Sequence, residues 1–120
     1  KESNILLEFI PKNLEQLDLS NKISTAISNK LDIEKNRIKI NKIDKINNKI
    51  DINIKEKRQD SIEEPTDKVV KELVNMVYKN NIKVHDRTQI LLIINNLSVN
   101  EEKETIPLDN TLFNDFVNKP

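Results

Sequence analysis

The chain has 120 residues, 20 Lys plus Arg balanced by 20 Asp plus Glu, and neither cysteine nor glycine. That length suits one domain with one core, and the balanced charge gives no global field toward nucleic acid or an anionic membrane. Without cysteine there are no disulfides, thiol nucleophiles or thiolate zinc sites; without glycine, P-loops, dinucleotide fingerprints and nucleophile elbows are missing in their usual forms.

Ile, Asn and Lys account for 18, 18 and 17 residues. Their codons are AT-rich, so their abundance reflects the genome more than the function. Asn tolerates left-handed backbone best after glycine, so the turns are expected to run on asparagine. No apolar run approaches the roughly 18 residues a spanning helix needs, and no signal peptide is visible. A start at Lys1 and an end at Asn-Lys-Pro read as a domain of a longer protein.

In chain order, NILLEFI (4–10) is apolar apart from Glu8 and stops at Pro11, which predicts a largely buried strand. Leu14 and Leu17 are expected in a short turn over one end of the core. Leu19, Ile23, Ala26 or Ile27, and Leu31 then recur at helical spacing, with Asp18 or Ser20 as N-cap.

The stretch IKINKIDKINNKIDINIK (38–55) carries seven isoleucines, too apolar for a solvated tether. A helix would align Ile43, Ile46, Ile50 and Ile54 but strand Ile38, Ile40 and Ile52 off the stripe. Two strands explain more of them, and β-branched residues favour that choice. Pairing Ile38 with Ile54 and Ile40 with Ile52 puts all four on one face and leaves a wide connection from Ile43 to Asn48.

Ser61 and Glu64 have capping-box spacing, Pro65 suits a first helical turn, and Val69, Val70, Leu73 and Met76 or Val77 give a second apolar helix face ending at Asn80-Asn81. QILLII (89–94) predicts a final buried strand, with 82–84 as a short extension. The expectation is a domain over 1–98, followed by an acidic tail over 99–120. That tail holds an apolar cluster, Leu112, Phe113, Phe116 and Val117, at helical spacing, and reads as a docked helix or a linker.

The resulting fold class is α+β with the ferredoxin-like order β-α-β-β-α-β, two helices on one face of a four-stranded antiparallel sheet. Glu8, Lys39, Asn41, Asp51, Asn53 and Lys55 then fall on the opposite face. An RNA-recognition domain shares this order but stacks bases on sheet aromatics, where this chain has Asp51 and Asn53.

Chemistry-bearing residues are sparse. His85 is the one histidine, followed by Asp86 and Arg87, and implies no nucleophile. Glu63-Glu64 and Glu101-Glu102-Glu104 lack the ligand spacing of a calcium loop. Asn96-Leu97-Ser98 is a glycosylation sequon, with Asn96 as the acceptor in a secreted setting. Nothing calls for a cofactor or a metal.

A helix end with Ala26, Ile27 and Leu31, followed by Arg37, Ile38, Ile40 and Ile43 and then Ile50, Ile52 and Ile54, resembles SEA and SEA-like domains of cell-surface proteins over residues 4–95. The resemblance implies an extracellular spacer or adhesion-associated module. Self-cleaving members have a Gly-Ser bond between the second and third strands; here Asn47, Asn48 and Lys49 stand there, so autoproteolysis is not expected.

The functional expectation is a non-catalytic module that binds a protein partner, within a secreted or surface protein. The residues expected to contact it are Lys39, Lys42, Lys45, Lys49, Asp51, Asn53 and Lys55. Residues 34–58 hold nine basic and four acidic side chains, which makes nucleic-acid binding through 35–58 the alternative.

Overall fold

The computed structural model describes residues 1–15 and 17–100. The elements are β1 (Ser3–Pro11), α1 (Leu19–Leu31), a 3-10 turn (Lys35–Arg37), β2 (Ile38–Asp44), β3 (Lys49–Ile54), α2 (Thr66–Asn80), β4 (Ile82–Asp86) and β5 (Gln89–Asn100). The fold is α+β, with one antiparallel sheet of order β2-β3-β1-β5-β4.

The sheet therefore has five strands rather than the expected four. Residues 82–86 form a full edge strand paired with β5, and Arg87 takes the left-handed backbone of the turn (φ 56). A turn built on arginine carries none of the usual Gly, Asn or Pro signals.

Isoleucine spacing sets the register as predicted: Ile38 pairs with Ile54 and Ile40 with Ile52. Ile50, Ile52 and Ile54 are fully buried, and Ile40 and Ile43 pack against the same core. The wide connection does not occur. A bulge at Asn41 absorbs one residue, so Ile43 pairs with Ile50, Asp44 with Lys49, and only 45–48 remain as the turn.

In α1, Leu19, Ile23, Ile27 and Leu31 are buried at four-residue spacing. The helix closes in a Schellman arrangement: Asp32 sits in left-handed backbone (φ 54), its N–H donates to the Asn29 carbonyl, and the Ile33 N–H donates to the Ser28 carbonyl. Ile33 then folds onto the core. Among the described residues the positive-φ positions are Asp18, Asp32, Asn48, Asn81 and Arg87, so aspartate shares with asparagine the work expected of asparagine alone. Asp18 precedes α1 as predicted, but its side chain makes no capping bond.

Three further details depart from expectation. The Ser61 hydroxyl accepts the Glu63 N–H at 3.1 Å and caps no helix; α2 starts at Thr66, after Pro65. Leu14 packs on the core, whereas Leu17 is exposed. The final strand runs on to Asn100, and the acidic cluster and apolar residues of the tail lie outside the described residues.

The apolar faces of both helices and one face of the sheet form a single cluster. Helix α1 touches β2 and β4, the two opposite edges, so the sheet curls around it. Bulges in the β2/β3, β1/β5 and β4/β5 ladders supply the bending that glycine kinks often give. At the last of these, consecutive Leu91 and Leu92 are both buried, and the Leu91 carbonyl accepts the Lys12 and Asn13 N–H groups at 2.9 Å each.

Candidate functional site

Antiparallel register sorts the expected contact residues into cross-strand rows on the sheet face away from the helices. Lys39 lies opposite Asn53, which lies opposite Asn4; Lys42 faces Asp51 and then Leu6; Lys49 faces Glu8 and then Asn96. Some of these opposed residues bond across their rows.

Asn53 is buried and donates from its amide to the Asn4 side chain at 2.7 Å. Lys49 lies 3.9 Å from the Glu8 carboxylate, which also accepts the Asn96 side-chain amide at 3.1 Å. Asp51 and Lys49 are half-buried. Asn53 and Lys49 are thus occupied by their own neighbours, while Lys39, Lys42, Lys45 and Lys55 remain exposed.

Lys39 and Lys42 belong to the edge strand β2, beside the Asn41 bulge. Charged side chains and a bulge are what keeps a sheet edge from pairing with a foreign strand. These two lysines therefore have a structural reason to be there, independent of any partner.

The turn that joins β2 to β3 is fixed from within. The Asp44 carboxylate accepts the Ile46 and Asn47 N–H groups at 3.0 and 2.9 Å and the Asn47 side-chain amide at 2.9 Å. The Asn47 backbone bond, above all, holds the Asp44 carboxyl below its ordinary value, followed by the Asn47 side-chain amide. Asn48 supplies the left-handed residue (φ 58), and its carbonyl accepts the Phe9 N–H at 3.0 Å, tying the turn to β1.

The hydrogen-bonded tip presents Ile46, which is 91% exposed. Lys45 stands beside it, its ammonium 3.4 Å from the Leu14 carbonyl. The period-2 pattern assigns Ile46 to neither strand, so sequence reasoning missed it as a display position; its apolar side chain in an otherwise polar turn is the available signal.

The remaining candidates disperse. His85 is exposed on β4, and the neighbouring Asp86 carboxylate is 2.9 Å from the Lys22 ammonium. Glu63 pairs with Arg37 and Glu64 with Lys68. Asn96 is exposed in the middle of β5, its amide held by Glu8. Among the described residues no group of three or more His, Asp or Glu side chains is placed to hold a metal ion, and no helix is long and apolar enough to cross a membrane. No protein-family model, curated protein or solved structure matches the chain.

Proposed function

We propose that this chain is a non-catalytic protein-interaction module that engages its partner through the tip of the β2–β3 hairpin. The observation that carries this reading is Ile46, an almost fully exposed isoleucine on a turn immobilised by Asp44 and Asn47. A preorganised apolar anchor loses little conformational freedom on binding, and the lysines around it, Lys42, Lys45 and Lys49, suit an acidic rim on the partner.

We assign the fold to the ferredoxin-like plan with one added edge strand. The order β2-β3-β1-β5 and the placement of the two helices between strands support this, with β4 as the addition. The SEA-like reading draws support from Ile38, Ile40, Ile50, Ile52 and Ile54, which lie on two paired strands as that pattern requires. It carries with it a place in a secreted or surface protein. The nucleic-acid alternative has less in its favour, because Lys49 is matched by Glu8 and the residues of β1 and β3 on the open face include no aromatic.

The immobilised 120-residue chain and its Ile46→Asp variant, exposed to the same extract, separate these readings. The proposal expects a retained protein that the variant loses. Retention of nucleic acid that falls steeply with salt, unaffected by Ile46→Asp, would favour the alternative.

A further inference from the structure

The two edges of the sheet are finished differently. On the β2 side the extra residue of the bulge, Asn41, belongs to the edge strand itself and interrupts it. In the β4/β5 ladder Val84 faces Leu92 and His85 faces Ile90, so the extra residue is Leu91 of the inner strand, and β4 runs uninterrupted from Ile82 to Asp86. Ile82 and Val84 are buried and anchor that strand on the core. Among the described residues no strand pairs with its outer side. A regular edge with a free row of N–H and C=O groups is a template for a further strand.

A cleft of about 590 Å³ lies between this edge and α1, lined by Lys22, Thr25 and Lys30 of the helix and by Lys83 and His85 of the strand. Among the described residues no carboxylate lines it. The nearby Asp86 carboxylate is taken by the Lys22 ammonium at 2.9 Å, whereas Lys30 and Lys83 have no ion-pair partner among the described residues. Lys35 donates to the side chain of Asn21, another lining residue, and adds its charge to the rim.

Charge therefore selects the occupant. Lys83 discourages a basic or apolar strand at this edge but attracts an acidic one, and alternate side chains of an added strand reach the same side.

We infer that β4 and α1 form a docking groove for an extended acidic segment of a partner protein, which adds a strand beside β4 and sets its carboxylates against Lys30 and Lys83. Matching the five residues of β4 takes about 17 Å of strand. This surface lies at the edge of the sheet opposite β2 and is separate from the Ile46 tip.

The probe is a synthetic peptide of alternating Glu and Val, blocked at both ends and titrated into the isotope-enriched chain by NMR. Amide shifts are expected in 82–86 and in 21–30 of α1, with affinity that falls as salt rises. Lys30→Glu/Lys83→Glu is expected to weaken binding about tenfold while its remaining resonances keep their parent positions. The same peptide with every backbone amide N-methylated keeps its charge, loses its strand donors and is expected not to bind. Equal binding of the N-methylated peptide, shifts centred on β2 or elsewhere, or no binding overturns the inference. So does tighter binding of a short single-stranded oligonucleotide to the same residues, since the occupant is then nucleic acid.

Discussion

Arg37 and Glu63 are 26 residues apart in sequence and 3.1 Å apart in space, with 3% of the Arg37 side chain exposed. The Arg37 Nε also donates to the Lys55 carbonyl at 2.9 Å and its Nη1 to the Glu64 carbonyl at 3.0 Å. The second Glu63 oxygen accepts the Glu34 N–H at 2.8 Å. One ion pair thus joins the 3-10 turn before β2, the exit of β3 and the approach to α2. Removing one member of a buried pair leaves the other uncompensated, so Arg37→Ala is expected to lower unfolding free energy by about 3–5 kcal/mol in urea titrations. Glu63→Gln, which keeps an acceptor, is expected to cost about 1–3 kcal/mol.

The isoleucines of the hairpin divide sharply by position. Ile52 is fully buried, and Ile52→Ala is expected to cost about 2–5 kcal/mol through lost transfer energy and the cavity left behind. Ile46→Ala, at the exposed tip, is expected to stay within about 0.5 kcal/mol of the parent. Denaturant midpoints of the two variants compare them directly.

This division was partly legible in the sequence. Alternating isoleucines placed β2 and β3 and fixed the Ile38–Ile54 and Ile40–Ile52 pairs, because a one-residue slip would expose the whole set. Helical spacing likewise placed Leu19, Ile23, Ile27 and Leu31. The bulge at Asn41 was invisible, since nothing local to asparagine marks an extra residue in a ladder, and it shortened the turn enough to put Ile46 at its tip. Strand β4 was reduced to an extension because it alternates over few residues and turns at Arg87. The Arg37–Glu63 pair left no trace in sequence, for long-range pairing between charged residues has no periodicity.

Asp44 gives the hairpin tip a definite response to acid. Its folded value lies below the ordinary 3.8, so the stabilisation it confers is fully present above that value and is lost as pH falls through the lowered one. The Ile46 and Asn47 amide resonances are expected to shift together, with a midpoint below 3.8. Asp44→Asn should abolish the shared titration; a midpoint at or above the ordinary value would mean that the turn is not held by the carboxylate.

Arg87 holds left-handed backbone without a glycine's freedom. Arg87→Gly is expected to stabilise the chain by up to about 1 kcal/mol, as relief of the Cβ clash outweighs the added entropy of the unfolded chain. Arg87→Val, β-branched at the same φ, is expected to lower the thermal midpoint.

The most direct test of the interaction surface is photocrosslinking from position 46. A benzophenone side chain replaces Ile46 in one copy of the chain and Ile62 in another; both isoleucines are almost wholly exposed, but Ile62 lies in the connection before α2. The hairpin account predicts a discrete protein adduct from position 46 that position 62 does not give. Equal adducts from both positions, or none from position 46, would contradict it.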